Sequence, residues 1–261
     1  MRIALQLEYD GTRFRGWQTQ PGGCTVQDAL EAALAPIAGE AVRTVCAGRT
    51  DAGVHALMQV VHFDAPQVRP LPAWVRGVNA HLPAAVAIVA ATEVPADFHA
   101  RHAARSRTYR YLLATDAVRP ALATGRVGWH HQAPALPPMR EALGALLGVH
   151  DFSAFRSSEC QARSPIRHLM HAEVRQEGGL VVFEFTANGF LHHMVRNLVG
   201  CLLRVGTGRE SPAWMAQLLA GRDRTRAAAT FSPSGLYLWS VDYPEACRPA
   251  LPGPRTHGVI T

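Results

Sequence analysis

The chain opens with a period of two. In the stretch RIALQLEYD, Ile3, Leu5, Leu7 and Tyr9 alternate with smaller or polar positions, the pattern of a strand with one apolar face. The period then changes. Thr25-x-x-Asp28 resembles a capping box, and Val26, Ala29, Leu30, Ala33, Leu34 and Ile37 follow at helical spacing until Gly39 stops them. Residues 41–48 and 58–65 read as strands on either side of RTDAGVHA, LPAWVRGVNAHLP as a short helix, and AVAIVAATEV as a buried strand. The second half repeats this order. SRTYRYLLAT alternates as a strand, PPMREALGALLG has helical spacing with proline at its start, and residues 166–189 form a hairpin around Gly178–Gly179. FLHHMVRNLVGCLLRVG is an amphipathic helix with Leu191, Met194, Val195, Leu198 and Leu202 on its apolar side. A further helix near 212–220 and the strand GLYLWSVDY complete the pattern. The expected class is α+β: two ferredoxin-like, RRM-like β-α-β-β-α-β units whose antiparallel sheets join into one continuous sheet. The expected boundaries are 1–104, 105–245 and a Pro- and Gly-rich tail at 246–261.

Composition changes this picture in one respect, its charge. The 261 residues are 48% hydrophobic, enough for a sizeable core, and carry a formal net charge of +6. All 26 basic residues are arginine, as a GC-rich genome would give. Residues 101–126 hold Arg101, Arg105, Arg107, Arg110, Arg119 and Arg126 against the single acid Asp116. Such a run is ordinarily a solvated face, but Tyr109 and Tyr111 lie within it, and aromatics among arginines suit nucleic acid. Ferredoxin-like sheets in RNA-recognition modules stack bases on an open face. Arg107 shares a strand face with Tyr109 and Tyr111, which predicts that this face is wet. No apolar run is long enough to span a membrane, and MRIALQLEYDGTRF has no signal-peptide design. Five cysteines without a CxxC pair point to neither a disulfide framework nor a zinc site. A cytoplasmic protein without a membrane partner is expected.

Most catalytic signatures are missing. GxSxG, P-loop, GxGxxG and HExxH patterns do not occur, and the adjacent pairs His130–His131 and His192–His193 lack metal-ligand spacing. No metal and no cofactor are expected. What remains is Asp51 in GRTDAGVH, in a tight connection between two strands. Asp beside glycine is ordinarily a turn residue. A carboxylate facing a basic surface would also be held ionised, available as a nucleophile or a base. Arg49 is its sequence neighbour, and Arg196, beside His193 and Asn197 on the 190–206 helix, is a cation crowded by apolar residues and in need of a partner.

Several blocks in order, YDGTRFRGWQTQP, GRTDAGVHA, DFHAR, RTYRYLL, DFSAF, NGFLHHMVRNLVG and GLYLWSVDYP, resemble the tRNA pseudouridine synthases of the A type. The resemblance covers almost the whole chain except its last fifteen or so residues. It implies isomerisation of uridine to pseudouridine in the anticodon arm of tRNA, at positions 38, 39 and 40. It also implies a homodimer whose two clefts hold the tRNA, without metal or cofactor. On matching positions Asp51 is the catalytic nucleophile, Tyr109 stacks on the target base, Arg196 pairs with Asp51 and Leu236 packs beneath the site. Arg49 joins the substrate-binding set, and Arg101, Arg105, Arg107, Arg110 and His193 are candidate tRNA contacts. The alternative from the residues alone is a non-catalytic RNA-binding or RNA-folding protein using the same basic sheet. The two readings part on Asp51, whose negative charge a pure RNA binder has no use for.

Overall fold

The computed structural model describes residues 1–256 and is α+β. In chain order its elements are β1 (Arg2–Tyr9), α1 (Val26–Ala38), β2 (Val45–Cys46), β3 (His55–Asp64), β4 (Val86–Val94), β5 (Ser106–Ala114), β6 (Gly128–Trp129), α2 (Leu136–Gly144), β7 (Gly148–Asp151), β8 (Ile166–Glu177), β9 (Leu180–Ala187), α3 (Met194–Gly206), α4 (Ala213–Gly221) and β10 (Leu236–Asp242). Strand pairing is mostly antiparallel. Over the described residues the chain forms two compact units, one of Met1–Arg107 with residues 237–256, the other of Thr108–Leu236.

In the first unit the sheet order is β4-β1-β3-β10, with β2 on β3. β1 runs antiparallel to both β3 and β4, whereas Tyr237 and Leu238 of β10 pair in parallel with His55 and Ala56. Helix α1 forms where its spacing predicts. The Thr25 side chain accepts the Asp28 N–H while the Asp28 carboxylate accepts the Thr25 N–H, a complete capping box that stabilises such a helix by about 1 kcal/mol. Gly39 ends it in the left-handed conformation (φ 84°) and donates its N–H to the Ala35 carbonyl. Val26, Leu30, Ala33 and Leu34 face the core, and Phe63 of β3 meets Trp74 edge-on at 5.2 Å. LPAWVRGVNAHLP contains a π-helical turn, Ala73–Gly77, that apolar spacing does not distinguish from an α-helix.

Both faces of β1 are buried, although its pattern predicts one. Ile3, Leu5 and Leu7 form the expected apolar face, while Ala4 and Gln6 are equally inaccessible. The second face is covered by the chain's own C-terminal segment. Gln6 donates through Nε2 to the Gly253 carbonyl (3.2 Å), Arg255 pairs with Glu8 (2.6 Å), and Pro249, Leu251 and Pro252 enclose a small cavity with Met58 and Val60. This part of the sheet is therefore not the open stacking face expected of the fold class. Of the 246–261 tail, residues 257–261 lie outside the described chain.

In the second unit the order is β5-β9-β8-β7, with β6 parallel to β5. β8 and β9 form the predicted hairpin across Gly178 and Gly179, both at positive φ. Leu169, Val174, Phe183 and Phe185 are buried in its core, together with Met194, Leu198 and Leu202 of α3. That helix begins at Met194, later than its apolar pattern suggests, because His193 before it is left-handed (φ 62°). Among the described residues no helix is long and apolar enough to cross a membrane.

Candidate active site

GRTDAGVH leaves β2 and enters β3 within the first unit, and buried side chains hold its backbone at both ends. Gln59 of β3 donates to the Gly48 carbonyl (2.6 Å) and accepts the Gly48 N–H (3.4 Å). Thr50 is buried, its hydroxyl bonded to that of Tyr9 at 2.9 Å, and its carbonyl accepts the Trp17 N–H at 3.0 Å. Burial raises the Tyr9 hydroxyl above the ordinary tyrosine range, so it stays protonated as a hydrogen-bonding strut. The Val54 N–H closes a turn onto the Asp51 carbonyl (3.1 Å), and Gly53 takes the positive φ (78°) that the turn requires. His55 stacks on Tyr237 with centroids 4.6 Å apart and accepts the Gly11 N–H at Nδ1. Asp51 itself is half-buried and Arg49 exposed. A short turn fixed on both sides thus presents one carboxylate, so the turn reading and the chemical reading of Asp51 are compatible.

The neighbouring thiol is excluded as a nucleophile at neutral pH. Burial pushes Cys46 up to about 12, against the opposing pull of Arg49 and Arg101.

Arg107 has a different job from the one its charge suggests. It is buried, and its guanidinium donates to the Ala47 carbonyl from Nε (3.1 Å) and Nη2 (2.8 Å), to Ala104 and to Arg101. Ala47 is the residue through which β2 runs into GRTDAGVH. The face shared by Arg107, Tyr109 and Tyr111 is buried rather than wet, and backbone carbonyls satisfy the cation. Arg101 and Arg105 are exposed; Arg101 supplies one of the carbonyls, and the Arg105 N–H is anchored on Asp242 (2.8 Å).

In the second unit Tyr109 is buried, its ring edge-on to Phe190 at 5.0 Å. Arg110 pairs with Glu184 (2.6 Å) within a network that includes Arg175, Glu173 and Glu177. Arg196 is half-buried on the first turn of α3 and donates from Nε to the Phe231 carbonyl (2.8 Å), whose own N–H returns to Arg196 (3.4 Å). Asn197 beside it is fully buried, donating to Phe155 and accepting from Arg224 and Thr230, which locks this end of the helix. His193 is half-buried, its ring 3.9 Å from that of His192. Leu236 is buried and follows Gly235, where a Cβ would lie 2.3 Å from the Leu112 carbonyl.

Within the first unit the fold thus gathers Asp51, Arg49 and the Arg107 anchor; within the second it gathers Arg196 with its Asn197 and Phe231 supports. The residues that hold the Asp51 loop, Tyr9, Trp17, Thr50 and Gln59, are not singled out by sequence reasoning. Their only signal is a polar glutamine within the apolar run of β3 and a lone tryptophan in a glycine-rich loop.

Comparison with known proteins gives this geometry its context. A family model described as tRNA pseudouridine synthase matches residues 6–102 and 142–244. A protein of Thiobacillus denitrificans named tRNA pseudouridine synthase A is 57% identical over 252 residues, 97% of this chain and 96% of the relative. Relatives of the same name in Dechloromonas aromatica (61% over 91% of this chain and 90% of the relative) and Chromobacterium violaceum (60% over 94% of each) agree. Identity at this level over nearly full length sets aside the non-catalytic RNA binder. The chain belongs to the tRNA pseudouridine synthase family, isomerases that convert uridine to pseudouridine in tRNA.

Proposed function

We propose that this enzyme acts on the anticodon arm of tRNA, at positions 38, 39 and 40, as a cytoplasmic homodimer with Asp51 as its nucleophile. We read each of the two units as a ferredoxin-like module. The observation that carries the reading is the Asp51 turn. A carboxylate is raised on a loop held by the buried Tyr9, Trp17, Thr50 and Gln59, and that placement suits a group that must meet one atom of a large substrate.

The reaction needs no redox step. The bond from N1 to C1′ breaks, the uracil turns over, C5 joins C1′, the C5 proton leaves and N1 gains one. The Asp51 carboxylate takes part by attack at C1′, by attack at C6 or by proton removal. Arg196 is the cation that keeps Asp51 ionised and aimed, through a charge-assisted hydrogen bond. Drawing the uridine out of its stack costs a few kcal/mol. Stacking on Tyr109 offsets this by about 1–3 kcal/mol, and Leu236 packs beneath the base. Arg49, Arg101 and Arg105, all exposed, meet the RNA backbone.

The test is positional. An unmodified tRNA transcript incubated with the enzyme should acquire pseudouridine at positions 38, 39 or 40 when the product is mapped nucleotide by nucleotide. Conversion confined to another arm contradicts the anticodon-arm assignment.

A further inference from the structure

The first unit's arginines fall into two kinds. Arg107 is buried on backbone carbonyls, and Arg2 pairs with Asp64 through two hydrogen bonds of 2.8 and 2.9 Å. Arg13 and Arg15 are exposed, and among the described residues neither has an acidic partner.

The loop that carries them is well anchored. Arg15 donates its N–H to the Cys24 carbonyl (2.9 Å), and its own carbonyl accepts from Gln20 (2.8 Å). Trp17 is buried, and Gly16 and Trp17 accept the first N–H groups of α1, from Val26 and Gln27. The loop is also tied to GRTDAGVH. The Phe14 carbonyl, between the two arginines, accepts the Gly53 N–H at 3.4 Å, and Trp17 donates to Thr50 at 3.0 Å. Both arginines are thereby held in register with Asp51. Asp10, three residues before Arg13, accepts from the Thr12 N–H (2.9 Å) and lies 3.3 Å from His55.

Two like charges on one anchored loop, neither of them paired with a carboxylate among the described residues, suit a polyanion. We infer that Arg13 and Arg15 grip backbone phosphates of the RNA strand carrying the target uridine, and so position that strand over Asp51. The inference rests on the tRNA reading above. Because the loop is ordered before binding, little ordering entropy is lost when the phosphates arrive.

The experiment compares wild type, Arg13→Gln/Arg15→Gln and Arg69→Gln/Arg76→Gln, the last a matched loss of two exposed charges elsewhere in the same unit. Binding of a tRNA transcript is followed by fluorescence anisotropy from about 50 to about 200 mM salt, and single-turnover conversion is measured in parallel. For Arg13→Gln/Arg15→Gln the slope of log affinity against log salt should flatten by about 0.7–0.9 per arginine removed. The half-saturating enzyme concentration should rise while the rate at saturation changes little. The control should keep the wild-type slope. An unchanged slope, equal flattening in the control, or a collapsed saturating rate with intact binding overturns the inference. Wild type that converts tRNA beside an indifferent double variant overturns the inference alone; wild type that neither binds nor converts tRNA overturns the functional reading with it.

Discussion

His62 sits inside β3 with its Nδ1 accepting the Ala100 N–H at 3.1 Å. That bond needs the neutral ring. Burial first, and then the nearby charges of Arg2 and His99, depress the imidazole to about 4. The unfolded chain takes up this proton below about 6.5. The contribution to stability is therefore complete above pH 6.5 and lost as pH falls toward 4, by at most about 3 kcal/mol. Urea unfolding at a series of pH values should show wild type losing more stability than His62→Asn over this window; parallel losses would contradict the assignment. Single residues were legible in the sequence where chemistry is rare and illegible where it is common. Asp51 stands out because few residue types serve as nucleophiles and the loop around it is glycine-rich. Arg107 gave no hint that its partners are carbonyls of Ala47, Ala104 and Arg101, because backbone acceptors carry no sequence signature.

Among the structural elements, the Asp51 turn is seated on a second loop, and Gly16 is one of the points where the two touch closely. Its φ is +88°, and a Cβ there would lie 2.7 Å from the Thr50 carbonyl and 3.1 Å from the Asp51 backbone. Gly16→Ala should destabilise the protein by about 1–3 kcal/mol through left-handed strain and this clash. It should also slow single-turnover conversion more than it weakens tRNA binding. Wild-type rate and unfolding midpoint in that variant would show that the seat does not matter. Regular elements were readable wherever one face is apolar: the capping box and Gly39 marked α1, and the two glycines marked the β8–β9 turn. Four-residue β7 and two-residue β6 are too short to show a period. β1 shows one apolar face, and nothing near Gln6 in sequence reveals that residues around Gly253 cover the other.

Taken whole, the molecule is basic, yet several of its arginines serve the fold: Arg107 on carbonyls, Arg110 and Arg175 in a carboxylate network, Arg2 on Asp64. Net charge alone therefore overstates the surface left for RNA. The exposed cations around the Asp51 turn, Arg13, Arg15 and Arg49, carry the argument instead. Strand order along the chain was legible, but the pairing of Tyr237 and Leu238 with His55 and Ala56 was not, because contacts this distant in sequence leave no local pattern. The central claim is that Asp51 performs the chemistry. Its direct test is single-turnover formation of pseudouridine in an unmodified tRNA transcript by wild type and Asp51→Asn, with tRNA binding measured alongside. The account predicts that Asp51→Asn binds tRNA at least as well as wild type and forms no pseudouridine. Conversion by Asp51→Asn at the wild-type rate would contradict it.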